Sequence, residues 1–218
     1  MAKNDSYLGA TPEARRFADE CEIRFANWCA NTFNYAVHGI VSDKETNQDG
    51  YTLGVFVEHD ARPRDNFKNG DVRTKHFIVD VKSSKDYPIA SISVWVPINE
   101  IKDLLSKGKS EQAAGRILAL KHLSGTNVDY YVSYGKNDKI TVIPKQAVLD
   151  MLSEEGLEYK NKRALGEVIL TKDTKVFGSI LNVHVYLPLT SWSNQEPFRN
   201  QFMTLEDLKN IYGNKKII

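Results

Sequence analysis

The sequence predicts a mixed α/β (α+β) fold, a sandwich of helices around a mixed sheet. Two observations carry that expectation. Apolar residues recur at helical spacing in some segments and at strand spacing in others. In order, the segments run helix, strands, helices, strands, helix, which suits layers packed on a sheet.

The first helix starts at Thr11-Pro12-Glu13, an N-cap followed by proline and then an acid that suits the helix dipole. It runs to about Phe33, with Ala14, Phe17, Ala18, Cys21, Phe25, Trp28 and Cys29 on one face. Glu22 falls about 80° from the centre of that face, so it is the carboxylate at the border of the buried side. Glu20 lies further round, and Asp19 nearly opposite. The stretch 43–50 is a polar loop, and Tyr51 to His59 alternates as a strand. Ala61 to Gly70 turns, with Pro63, Asn66, Asn69 and Gly70. Asp71 to Lys82 returns as a second strand and Ala90 to Val96 forms a third. Pro97 opens a helix to about Lys107, and Ser110 caps another through Leu123. Val128 to Tyr134 pairs with Lys139 to Ile143 across Gly135-Lys136-Asn137-Asp138, and a short helix spans Lys145 to Leu152.

Glu154 to Arg163 is a charged connector. Strands at Gly166 to Thr171 and Val176 to Leu187 turn at Lys172-Asp173-Thr174. Ser191 to Gln201 reads as an irregular loop rich in amides, and Thr204 with Asp207 caps a last helix. The division expected is a core at 11–152 and a C-terminal, β-rich appendage at 153–218 packed on it, serving specificity, DNA contact or dimerisation.

The 218 residues suffice to bury a core, and 26% charged residues with a net charge of +1 exclude a histone-like coat. A local basic cleft is still enough to hold a nucleic-acid backbone. Cys21 and Cys29, about 12 Å apart along one helix, are too far apart for a disulfide and are expected reduced in the core. With no apolar run of membrane length and no apolar leader after Met1, the expected place is cytoplasmic. The five histidines lack metal-ligand spacing, no CxxC pair exists, and neither a Walker loop nor a dinucleotide-binding glycine motif is present.

One constellation carries chemistry. In the run Phe77-Ile78-Val79-Asp80-Val81-Lys82, strand alternation puts Ile78, Asp80 and Lys82 on one face. Acid-x-Lys occurs five times in the chain, but only Asp80-Val81-Lys82 ends an apolar strand with another acid, Asp71, a short hairpin upstream. A carboxylate and an ammonium beside such a run cost several kcal/mol unless paired or metal-bound. Metal-assisted phosphodiester hydrolysis needs acidic oxygens around a hard cation and a positive group near the attacking water, and this set supplies both.

Gly70-Asp71 followed by Phe77-Ile78-Val79-Asp80-Val81-Lys82-Ser83-Ser84 resembles the PD-(D/E)xK nucleases, the restriction-endonuclease-like superfamily, with a similar element order over about residues 11 to 152. The family's usual proline before the first acid is Gly70 here, and Asp60 and Asp65 compete with Asp71 for that role. The resemblance implies a restriction-endonuclease-like core. It implies Mg²⁺ (with Mn²⁺ as substitute) held by Asp71, Asp80 and the Val81 carbonyl. Lys82 would orient the attacking water, and Glu22, or else Glu20, would be the helix carboxylate. The function implied is a Mg²⁺-dependent DNA endonuclease of type II restriction character, a homodimer acting on double-stranded DNA. The alternatives are a phage, recombination or repair nuclease that recognises DNA structure, and an inactive nucleic-acid-binding protein on the same fold.

Further candidates for nucleic-acid contact are Lys85, the amide-rich loop Trp192 to Gln201, the basic clusters Lys160 to Arg163 and Lys215-Lys216, and Tyr130, Tyr131 and Tyr134. Each also has an ordinary reading as solvated surface or packed core.

Overall fold

The computed structural model describes residues 12–33, 37–41, 53–58, 71–74, 76–153, 169–173, 182–196 and 198–213. Thr11, the loop at 43–50, the turn at 61–70 with Asp60 and Asp65, the connector at 154–163 and Lys215-Lys216 lie outside those residues.

Helix α1 (Pro12–Phe33) is followed by strands β1 (Val37–Val41), β2 (Leu53–Glu58), β3 (Val72–Arg73), β4 (Ile78–Ser83) and β5 (Ile92–Pro97). Then come α2 (Ile98–Ser106), α3 (Glu111–Ser124), β6 (Tyr130–Tyr134), β7 (Ile140–Pro144) and α4 (Lys145–Leu152). The C-terminal part holds β8 (Ile169–Asp173), β9 (Asn182–Leu187), α5 (Leu189–Trp192) and α6 (Leu205–Tyr212). The fold is mixed α/β, with a mixed sheet flanked by helices. A six-stranded sheet has the order β1-β2-β3-β4-β6-β7, and a three-stranded sheet has the order β5-β9-β8. In the larger sheet β4 pairs antiparallel with β3 and parallel with β6.

The larger sheet separates two cores. On one side Val79, Val81, Val132, Tyr134 and Val142 pack against Cys21, Phe25, Cys29 and Phe33 of α1 and Leu208 of α6. On the other, Tyr131 and Ile143 join α3, α4 and the inner faces of β5 and β9. The alternation of Tyr131 with Val132 and of Val142 with Ile143 between the cores is the period of a strand buried on both faces. Within α1, Cys21 and Cys29 are buried and free. Burial pushes the Cys21 thiol up to about 11 and drives Cys29 upward as well, so neither is poised as a thiolate. Ala14, expected on the buried face, is exposed in the first turn.

Four local expectations are corrected. The stretch from Asp71 to Lys82 is not one strand but the hairpin β3–β4, turning at Thr74 to Phe77. There the Thr74 hydroxyl accepts the N–H groups of His76 (3.1 Å) and Phe77 (2.9 Å) and donates to the Phe77 carbonyl. The segment has no glycine or proline, so this side-chain closure replaces the usual turn chemistry. Lys172 and Asp173 do not turn but continue β8, paired with Val183 and Asn182. Ser191 to Gln201 is not irregular: α5 and a 3₁₀ turn at Phe198–Gln201 are anchored by Trp192 and Phe198, both fully buried. Strand β1, not foreseen in the pattern, pairs parallel with β2.

The segment beyond 152 is tied into both sheets. β9 pairs along the whole of β5, and Met203 bridges to Val142 of β7. Among the described residues no helix is long and apolar enough to cross a membrane.

Candidate active site

Asp80 and Lys82 lie on the same side of β4. Their register partners in β6 are Tyr131 and Ser133, so they face away from the core that α1 covers. Lys82 Nζ stands 2.5 Å from Asp80 Oδ1. The pair is neither sealed nor fully solvated: the Lys82 side chain is 28% exposed and that of Asp80 13%. Water therefore screens the pair less than at an open surface.

Asp71 stands immediately before β3. Its backbone N–H donates to the Val79 carbonyl (2.8 Å), and its Oδ2 accepts the Val81 N–H (2.7 Å). Odd-numbered residues of β4 thus turn their backbone groups toward β3. Even-numbered ones turn toward β6: the Ile78 carbonyl accepts the Asp129 N–H, and Ile78 N–H donates to Asp129 Oδ2. In a strand the N–H and C=O of one residue point the same way, so the Val81 carbonyl faces the edge on which the Asp71 carboxyl sits.

Glu22, on α1, is 8% exposed, whereas Glu20 is exposed. Electrostatics connect these groups. The Asp71 carboxyl is held well above the usual carboxylate range, first by burial and then by the negative charges of Asp80 and Glu22. Lys82 opposes that rise, and a carboxyl–carboxyl hydrogen bond with Asp80 adds to it. Burial works against the Lys82 charge, but Asp80, Asp71 and Glu22 outweigh it, and the amine is held above the ordinary lysine range. So the charges of Asp71, Asp80 and Glu22 all act on Lys82, while the direct contacts are Lys82 with Asp80 and Asp71 with the Val81 N–H.

The donor set is all oxygen, three carboxyls and a backbone carbonyl, which suits a hard cation such as Mg²⁺ rather than Zn²⁺. As the side chains are placed, no three His, Cys, Asp or Glu groups among the described residues stand close enough to enclose a metal ion. Asp80 is turned onto Lys82, and Asp71 onto the Val81 N–H.

Other candidates have other partners. Lys85 Nζ lies 5.0 Å from the Phe17 ring centroid, a cation–π contact. Tyr131 and Tyr134 are buried, and the Tyr130 hydroxyl meets that of Tyr212 at 3.0 Å. In the segment after α5, Asn194, Arg199 and Asn200 are exposed. Pattern reasoning passed over Tyr87, the most exposed large hydrophobic side chain among the described residues at 61%.

A scan against protein-family models, a search of curated proteins and a search of solved structures each give no match to this chain.

Proposed function

We propose that this chain is a metal-dependent nuclease of the PD-(D/E)xK kind, a Mg²⁺-dependent DNA endonuclease of restriction type acting as a homodimer on double-stranded DNA. The observation that carries the reading is the β3–β4 hairpin in the middle of the larger sheet, where Asp71 accepts the Val81 N–H and Asp80 pairs with Lys82. Burial, together with the neighbouring charges of Asp80 and Glu22, raises the pKa of Asp71, a setting that favours a cation beside it. The element order lends support. An acid-bearing helix precedes a hairpin with acids on both arms, and β4 then connects through helices to a parallel neighbour, β6. That is the arrangement expected of a restriction-endonuclease-like core.

In this reading Asp71, Asp80 and the Val81 carbonyl would hold Mg²⁺, with Glu22 as the helix carboxylate. When bound, Mg²⁺ supplies positive charge against the phosphate and makes a neighbouring water more acidic. The chain's own part is positional and electrostatic. The Val81 N–H fixes Asp71 by its hydrogen bond, and α1 carries Glu22 to the site. Lys82 would present its ammonium to the attacking water and to the charge that grows on the phosphate.

The test is incubation of the full chain with plasmid and phage DNA, in Mg²⁺ and in EDTA. Discrete bands that need Mg²⁺ are expected of a site-specific enzyme. A metal-dependent smear moves the assignment to a non-specific or structure-directed nuclease, and absence of cutting in Mg²⁺ and in Mn²⁺ removes it.

A further inference from the structure

The turn that leaves β4 presents Tyr87 to solvent on a backbone pinned at many points. Ser84 Oγ accepts the N–H groups of Asp86 (3.3 Å) and Tyr87 (3.1 Å). The Tyr87 carbonyl accepts the Lys136 N–H at 2.8 Å. Beyond it, the Ile89 carbonyl accepts the Thr190 hydroxyl (2.7 Å), and Ala90 N–H donates to the buried Ser133 Oγ (2.7 Å). Gly135 passes so close that a Cβ there would stand 1.9 Å from the Pro88 carbonyl oxygen.

The neighbouring β6–β7 turn is itself strained. Asn137 and Asp138 both take the left-handed conformation, with φ of 61° and 57°. Lys136, whose N–H meets the Tyr87 carbonyl, and Lys139 on the same turn are both exposed, so the turn beside Tyr87 carries positive charge. Of the exposed acids there, Asp138 is neutralised by Arg24 at 3.1 Å, leaving Asp86 as the opposing charge. An aromatic ring 61% exposed on a rigid turn, flanked by lysines, matches the pairing of stacking platform and phosphate contacts that holds an unpaired nucleotide. Tyr87 is five residues beyond Lys82, and an extended chain puts at most about 17 Å between their Cα atoms. At roughly 3.4 Å per stacked nucleotide that is no more than about five nucleotide steps from the site.

We infer that this ridge is a nucleic-acid contact on which Tyr87 stacks against an unpaired base close to the scissile phosphate, with Lys136 and Lys139 holding the backbone. The inference rests on the nuclease reading for the kind of partner. It adds to duplex binding a preference for an unpaired base beside the duplex.

The test measures binding of the full chain, in Ca²⁺, to a fluorescently labelled duplex with a single-stranded extension and to the same duplex with blunt ends. A 2-aminopurine in the extension reports stacking. Tyr87→Ala is expected to weaken binding to the extended duplex by roughly tenfold or more and to abolish the 2-aminopurine quenching. Tyr87→Phe retains both, and blunt duplex binds alike to all three proteins. Equal binding of the extended duplex by wild type and Tyr87→Ala overturns the inference. So does binding to neither oligonucleotide, or a Tyr87 dependence found only in self-association by sedimentation. Tyr87-dependent binding without cleavage of any DNA in Mg²⁺ supports the ridge while removing the nuclease assignment.

Discussion

Asp71 illustrates how much one residue can carry. Its carboxyl closes the ladder onto Val81, and burial, with two other acids, keeps its pKa raised. The sign of the pH effect follows. The folded pKa lies above the ordinary value of 3.8, so this group's contribution to stability is full below about pH 4 and is lost as pH rises through the folded pKa. Lys82, also raised, keeps its contribution up to its ordinary 10.5 and loses it only above, so neutral pH leaves the lysine charged. In EDTA, then, Asp71→Asn should unfold at higher denaturant concentration than wild type at neutral pH, by on the order of 1 kcal/mol. The gain should shrink toward pH 4, and DNA cleavage should be lost. A variant less stable than wild type at neutral pH would contradict the electrostatic account. Much of this site was legible in the sequence. Strand alternation aligns Asp80 with Lys82, and helical spacing sets Glu22 at the border of the buried face. Alternation could not foresee the contact of Asp71 with the Val81 N–H, which depends on how the hairpin closes, and Asp60 and Asp65 lie outside the described residues.

Elements show where local reasoning stops. Helices α2, α3, α4 and α6 fall where capping and periodicity place them. Thr204 and Asp207 form a reciprocal capping box: Thr204 Oγ1 accepts the Asp207 N–H, and Thr204 N–H donates to the Asp207 carboxylate. The break between β3 and β4 was hidden because a threonine hydroxyl makes the turn. The prominence of Tyr87 was hidden for another reason: it depends on Gly135, nearly fifty residues later, lying against Pro88. Gly135 has ordinary extended φ and ψ (−104°, −177°), so glycine is required there by space alone. Gly135→Ala should therefore destabilise the fold by about 1–3 kcal/mol in denaturant unfolding and weaken binding at Tyr87 with it. A neutral substitution would mean the two turns are not packed as described.

Across the whole molecule, the parity of β6 and β7 settles which core each residue serves, while the partner of β5 could not be read locally. Its neighbour β9 lies about ninety residues downstream, and no local pattern specifies so distant a pairing. That pairing and the burial of Val185, Leu187, Leu189, Trp192 and Phe198 make the C-terminal third part of one core with Ile92, Val94 and Val96. A chain ended at Leu152 would leave those faces uncovered, at about 1.5–3 kcal/mol for each large apolar side chain. It should fail to fold by circular dichroism and by thermal unfolding. A cooperatively melting fragment would make the C-terminal third a separable addition.

The central claim concerns the acids and lysine of the β3–β4 hairpin. Its most direct test is plasmid cleavage in Mg²⁺ by wild type, Asp80→Ala and Lys82→Ala, each first shown to unfold cooperatively. The account predicts metal-dependent cleavage by wild type and a loss on the order of 10²-fold or more in each variant. Cleavage at the wild-type rate by either well-folded variant would contradict it.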